Sequence, residues 1–417
     1  MTHRPAGRSA TSTYLIRLAP GGHMGHLRLV DGLRAVAAGL VLVSHVGFWT
    51  GASSIDLVGG FVARGDAGVA VFFAISAFLL LRPAIARGLD GTGREARATA
   101  RYAVRRAARI LPAYWLALAG VLAAAVWLTG GAGGPAKVAA HVLVLQGYTG
   151  DYYQSFTQSW SLTTEVTFYV LVPVLGGLLT RGLWRRGGSR GVGALVAVTA
   201  VVATGGLLAQ AVAAAWSRAG SDGGAGVLAT SVVGHLAWFG AGAAVALLAE
   251  GHHRGVGPLA TRPALLAVWR SRPTLVLLAV VVFVVASSPL AGPRDLTLPT
   301  AGQAVAKEAL YAVFALLLLA ACVQDPPPGT PADTVARWGV TRWLGDISYG
   351  VFLWHVVVLQ VLFEVTGAEL FATGFWWTLY AVAGFSVALA SLSWWLVERP
   401  ILAAARRRTA PAPAARA

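Results

Sequence analysis

The stretch Leu29-Val30-Asp31-Gly32-Leu33-Arg34-Ala35-Val36-Ala37-Ala38-Gly39-Leu40-Val41-Leu42-Val43-Ser44-His45-Val46-Gly47-Phe48-Trp49 holds only three side chains able to carry charge, Asp31, Arg34 and His45. A run of about 20 apolar residues covers the ~30 Å hydrocarbon layer of a bilayer as one helix. It is too long for the apolar core of a cleaved leader and lacks a clear small-residue cleavage site, so it reads as a first membrane span.

Working outward, nine further apolar runs lie near 67–83, 110–129, 163–180, 192–216, 227–249, 274–290, 304–322, 347–364 and 375–396. The fold expected is therefore all-α and integral to the membrane, with about ten transmembrane helices. One shorter run near 138–147 is expected to be re-entrant or interfacial, since it cannot cross and must have its backbone covered by protein or water. The 417 residues are 56% hydrophobic and 12% charged, against roughly 25% charged in a soluble domain. Soluble, fibrous and disordered classes are excluded. Residues 1–26 read as a polar basic tail, 27–401 as one membrane domain, and 402–417 as a disordered Arg/Ala/Pro-rich tail.

Charge tests the span count. Segments on one side of the ten spans hold 27 arginines, and those on the other hold only Arg64, Lys137, Arg218 and Arg294. Basic loops stay in the cytoplasm, so both termini are expected there, in a multi-pass protein of the plasma membrane. The same rule accounts for the net charge of +16 without nucleic acid as a partner. The single cysteine, Cys322, excludes an internal disulfide and a cysteine metal cluster. Oligomeric state is not encoded in any pattern of the chain, and the internal repeats of many transporters are missing.

Ionisable groups within a span are costly and ask for a reason. Arg34 and His45 are eleven residues apart, which is about three helical turns and ~16 Å of rise, so they share a face. One stripe then carries a fixed cation at one end and a titratable base at the other. The structural alternatives are a histidine bonded to a backbone carbonyl and an arginine snorkelling to lipid phosphate. The run Arg82, Arg87, Arg94, Arg97, Arg101, Arg105, Arg106 and Arg109 places Arg101, Arg105 and Arg109 at intervals of four. Guanidinium groups crowded on one helical face suit bidentate phosphate binding; an ordinary basic loop on anionic headgroups is the rival reading. In Gln158-Ser159-Trp160-Ser161-Leu162-Thr163-Thr164-Glu165, Ser161 is a candidate N-cap and Glu165 a first-turn carboxylate. Glu165 could alternatively orient the His45 imidazole. His355 lies midway along the ninth span. His235, with only Ser231 as a polar neighbour, reads as structural, and Lys307-Glu308 as an interfacial anchor. A soluble-acyltransferase spacing at His26 and Asp31 is discounted.

Taken together these residues resemble a known family, the acyltransferase 3 integral membrane O-acyltransferases, in its stand-alone form. Leu29 to Ala38 with Arg34 and His45 is similar to its first-helix signature. Gly68-Val69-Ala70-Val71-Phe72-Phe73-Ala74-Ile75-Ser76-Ala77-Phe78-Leu79 is similar to its second-span motif, with Ala77 where Gly is usual. Arg106-x-x-Arg109 with Pro112 and Tyr114, Trp160-Ser161-Leu162-x-x-Glu165-x-x-Phe168-Tyr169 with Pro173, Ile347-Ser348-Tyr349 to His355, and Glu398-Arg399-Pro400 follow in the family's order. Val166-Thr167 replaces a second polar pair seen in relatives.

The resemblance implies transfer of an acyl group, commonly acetyl, from acyl-coenzyme A to a hydroxyl of a sugar, glycolipid, polysaccharide or antibiotic. Acyl-coenzyme A would be a co-substrate rather than a tightly bound cofactor, and no metal is implied. Arg34, Arg105, Arg106 and Arg109 would hold the donor. His45 would act as general base or accept the acyl group itself, with Glu165 as a second catalytic group and either Glu165 or His355 stabilising the imidazolium or contacting the acceptor. Trp160, Ser161, Tyr169 and His355 would contact substrate. Such a route needs a passage from the arginines to His45. A transporter or channel for a small anionic solute, using the same stripe, is the rival class.

Overall fold

A computed structural model describes residues 27–55, 58–92, 98–220 and 222–409. Among the described residues there is no strand, and ten α-helices reach 15 residues or more. They are α1 Arg28–Thr50, α2 Ala67–Asp90, α3 Ala98–Thr129, α4 Trp160–Arg186, α5 Gly188–Arg218, α6 Leu236–His253, α7 Arg272–Ala286, α8 Ala301–Cys322, α9 Gly339–Thr366 and α10 Phe375–Ser393. The expected basic tail 1–26, together with Arg94, Arg97 and residues 410–417, lies outside the described residues.

Each expected apolar run has a helix, yet not each helix is a full span. By length and composition eight helical segments among the described residues can cross a membrane. The number is nine if Pro263–Arg270 and Arg272–Ala286, bent by 82°, form one span. The sixth expected run, 227–249, is interrupted. A short helix ends at Thr230, residues 231–235 turn, and α6 begins at Leu236. Carbonyls at the break cannot be left bare in hydrocarbon. Gln210 of α5 answers this by donating Nε2–H bonds to the carbonyls of Ala229 (2.9 Å) and Gly234 (3.0 Å).

Between α3 and α4 the segment near 138–147 forms two short helices, Pro135–Val142 and Gln146–Thr149. Tyr114 donates to the His141 carbonyl at 2.6 Å, and buried Gln146 donates to the Ser159 carbonyl at 2.9 Å. Protein groups therefore serve the backbone of this non-crossing element. The expectation of a disordered 402–417 tail needs correction at its start. Beyond α10 a π turn, Trp394–Glu398, leads into a helix at Arg399–Arg408. Alanine and arginine are strong helix formers, and Arg105 anchors the end by donating to Thr409 Oγ1 at 2.8 Å.

The helices sort by burial. α1, α2, α6 and α9 occupy the interior, where α6 packs on α2 and α5, and α1 on α2 and α9. α5, α7 and α10 turn aliphatic and aromatic side chains such as Val201, Leu277 and Phe385 outward, as a lipid-facing ring requires. Close approach of α1 to its neighbours depends on glycine, as is usual between membrane helices. A Cβ on Gly68 would stand 2.3 Å from the Ala37 carbonyl oxygen, and one on Gly345 2.7 Å from that of Asp31. α1 is thus held from two sides along the half that carries Arg34.

Candidate active site

Arg34 and His45 share a face of α1, as their spacing requires, but open onto different cavities. Arg34 is paired with Asp31 at 3.0 Å. It lines a narrow cavity of about 80 Å³ together with Arg106, Arg109, Ser161, Glu165 and Tyr169. Six of the candidate residues thus converge from α1, α3 and α4, joined by Ser76 of α2 and Ser348 and Tyr349 of α9. Glu165 accepts hydrogen bonds from Ser76 Oγ and Tyr169 Oη. The Arg106 guanidinium lies 6.0 Å from the Tyr169 ring centroid, and that of Arg109 5.6 Å from the Trp394 ring.

Arg106 has a second exposure. It also lines a cavity of about 580 Å³ with Arg87, Arg101, Tyr102, Arg105 and Arg181. The helical register of α3 explains the cluster, since Arg101, Arg105 and Arg109 recur every four residues on a helix that starts at Ala98. Arg105 is committed in part to the C-terminal helix, through its bonds to Thr409 Oγ1 and the Thr409 carbonyl. Arg82 turns elsewhere and pairs with Glu250.

His45 lines a third cavity, of about 410 Å³, with Asp66, Lys307, Arg64 and Phe371. Its Nδ1 is 3.0 Å from the Val41 carbonyl oxygen one turn earlier. A ring nitrogen against a carbonyl must carry the proton, which leaves Nε2 with its lone pair. His355, wholly buried, fixes its own tautomer in the same way on the Val351 carbonyl at 3.2 Å. Its unprotonated Nε2 then meets His45 Nδ1 at 3.2 Å, with the ring centroids 4.9 Å apart. His355 is therefore the neighbour that orients the His45 imidazole. Glu165, a candidate for that task on sequence, faces the Arg34 cavity instead.

The Trp160–Glu165 box is rearranged relative to the capping expectation. α4 starts at Trp160 with Ser159 as N-cap residue, and Ser161 Oγ donates to the Gln158 carbonyl at 3.0 Å. Glu165 thereby sits beyond the first turn. Trp160 is half-buried against His235, at 5.3 Å between ring centroids.

The open passage expected from the arginines to His45 is not formed by a junction of these two cavities. The narrow cavity and the His45 cavity have no lining residue in common. Phe72 and Phe352 line the narrow one and meet edge to face at 5.7 Å, and Phe352 is 5.9 Å from the His355 ring. Phe352 thus connects the wall of the arginine cavity to the His355 ring.

Two polar groupings escape sequence reasoning. Asp66 pairs with Lys307 at 2.6 Å and accepts from Tyr311 Oη. His235 pairs with Glu308 at 3.0 Å in the core, where Trp238 Nε1 donates to the Glu308 carbonyl at 3.1 Å. The polar partner of His235 is thus Glu308, not Ser231. Adjacent residues Lys307 and Glu308 serve different partners because neighbours on a helix point about 100° apart. Among the described residues no group of three or more His, Cys, Asp or Glu could hold a metal ion.

Comparison with known proteins bears on the same residues. An acyltransferase-domain family model, acyltransferase 3, matches residues 28–395. Nodulation protein 10 of Rhizobium leguminosarum bv. viciae is 26% identical over 421 residues, covering 91% of this chain and 94% of the relative. The putative peptidoglycan O-acetyltransferase YrhL of Bacillus subtilis is 32% identical over 94 residues, which is 22% of this chain and 14% of that protein. The putative membrane-bound transacylase BcsY of Komagataeibacter xylinus is 31% identical over 173 residues, 38% of this chain and 39% of its own length. No solved structure matches the chain. The family match spans the first helix with Arg34 and His45, the α3 arginines, the Glu165 box and His355, and the chain belongs to the acyltransferase 3 family as a multi-pass membrane O-acyltransferase.

Proposed function

We propose that the protein moves an acyl group, acetyl in the simplest case, from cytosolic acyl-coenzyme A to a hydroxyl presented at the other face of the plasma membrane. The excess of arginine at one end supports placing that end and both termini in the cytoplasm. The donor's phosphates would occupy the cavity of about 580 Å³ between Arg87, Arg101, Arg105 and Arg106. Its thioester arm would pass Arg34, Arg106 and Arg109 toward His45, with Phe72 and Phe352 turning aside to admit it. The printed name of YrhL, a peptidoglycan O-acetyltransferase, makes a sugar hydroxyl the first acceptor class to test.

The chemistry follows from the tautomer. A hydroxyl becomes a competent nucleophile only as its proton leaves, and a neutral imidazole with a free ring nitrogen can take it. His45 Nε2 would accept that proton while the hydroxyl oxygen attacks the thioester carbonyl. The C–S bond then breaks, and the imidazolium returns the proton to the departing thiolate. Transient acylation of Nε2 is the two-step version of the same balance. Ser76, Glu165 and Tyr169 would line the arm's path rather than touch the reacting carbonyl.

The observation that carries this reading is His45 itself, with Nδ1 held by the Val41 carbonyl and the residue lining a cavity on the helix that bears Arg34. The test is thiol release from acetyl-coenzyme A by purified protein in lipid nanodiscs, with and without candidate acceptors. His45→Ala should lower acceptor-dependent release at least ~100-fold. Near-normal release in that variant rejects the assignment, and solute flux without thiol release would favour a transporter.

A further inference from the structure

The cavity at the His45 end has an aromatic rim held by an unusual backbone. Phe371, in the turn between α9 and α10, has φ +66°, one of two non-glycine residues with positive φ among the described residues. A bulky side chain in the left-handed region is a genuine outlier, and such strain persists only where the surroundings fix it. They do so here from the end of α1. Phe371 N–H donates to the Trp49 carbonyl at 2.8 Å. Gly51, at φ +79°, lets the two backbones meet, since a Cβ there would stand 2.8 Å from the Phe371 carbonyl oxygen. The ring leans edge-on against Phe48 at 5.6 Å, and the residue, 58% exposed, lines the same cavity as His45.

Within the same cavity, Asp66 and Lys307 form an ion pair in which each side chain is 35% exposed. Tyr311, itself buried, holds the other Asp66 oxygen. The carboxylate is thus fixed at both oxygens yet keeps lone pairs, and the ammonium keeps N–H donors beyond the one given to Asp66. A hydroxyl-rich ring needs this combination, an apolar face to lie on and adjacent donor and acceptor for neighbouring hydroxyls.

We propose that this cavity is the acceptor subsite, with Phe371 as stacking platform and the Asp66–Lys307 pair as hydroxyl reader, and that it selects a cyclic polyol of pyranose type. The inference rests on the function proposed above and adds which residues choose the acceptor. Neither group reaches the donor cavities, so their substitution should separate acceptor from donor parameters.

The experiment measures thiol release from acetyl-coenzyme A with methyl α-glucoside, methyl α-galactoside, methyl α-mannoside, methyl N-acetyl-glucosaminide and open-chain sorbitol as probes. Wild-type protein should use at least one methyl pyranoside at least ~10-fold better than sorbitol in kcat/KM. Phe371→Gly, which removes the ring and suits the positive φ, should raise the acceptor KM about tenfold and move the donor KM less than twofold. Phe371→Trp should restore it. Lys307→Met and Asp66→Asn should narrow the preference among the glycosides. Equal use of sorbitol and every pyranoside, an acceptor KM within twofold in Phe371→Gly, or an equal change in donor KM would overturn the subsite. Those results leave His45 chemistry standing, whereas failure of the function itself shows as full activity in His45→Ala.

Discussion

Replacing His355 with alanine removes the ring whose Nε2 lies 3.2 Å from His45 Nδ1. In the ground state this contact is shared, because the same Nδ1–H also faces the Val41 carbonyl at 3.0 Å. As Nε2 of His45 gains a proton, the ring becomes cationic and the bond to His355 becomes charge-assisted. Hydrogen bonds to charged groups contribute about 1.5–3 kcal/mol, and ~1.4 kcal/mol is tenfold in rate. The expected loss in kcat is therefore roughly 10- to 150-fold, toward the lower part because Val41 retains its share. The donor KM should stay within about twofold, since His355 lines neither arginine cavity. Thiol release and acylated product, both measured at saturating acetyl-coenzyme A in nanodiscs, give the rate. His355→Gln keeps an acceptor atom and should recover activity to within about fivefold of wild type. A kcat within twofold of wild type in a well-folded His355→Ala protein would refute the pairing.

Other expectations concern the remaining parts of the route. Arg106→Gln with Arg109→Gln should raise the acyl-coenzyme A KM by about tenfold or more and lower kcat less, as read from initial rates across donor concentration. Phe72→Ala should open the barrier before His45 and raise acceptor-independent thiol release severalfold; an unchanged leak would remove Phe72 from the path. Glu308→Ala should leave the buried His235 ring nitrogen without its partner, at a cost of about 1–3 kcal/mol. The readout is a clear fall in melting temperature in detergent, with Glu308→Gln much milder.

What the sequence made legible was whatever lies along one helix. The helical register of Arg34 with His45 and of the every-fourth arginines of α3 follows from 3.6-residue periodicity, and both sets do lie on helices. Apolar length located all ten helices, but it could not see the break at residues 231–235. The polar cover for that break comes from Gln210 on another helix. Pairing across the bundle was equally hidden. Nothing in local spacing joins Asp66 to Lys307 or His45 to His355, which are 241 and 310 residues apart. Glu165 shows the limit most plainly. Its position along the chain put it level with the histidine end, whereas the Ser76 and Tyr169 hydroxyls draw its carboxylate toward Arg34. Low-complexity composition marks the C-terminal segment as disordered, yet it is helical through Arg408, in keeping with the helix propensity of Ala and Arg.

The glycine seats beneath α1 restrict how turnover can proceed. With Gly68 against the Ala37 carbonyl and Gly345 against that of Asp31, there is no slack for this helix to slide or roll like a piston between the two compartments. On the route proposed above, substrate would travel while the rod stays still, and the moving parts would be single rings such as Phe72 and Phe352, swinging on their own bonds. If a thioester takes that route, sealing against ion leakage during each cycle would fall to side chains small enough to close again behind it.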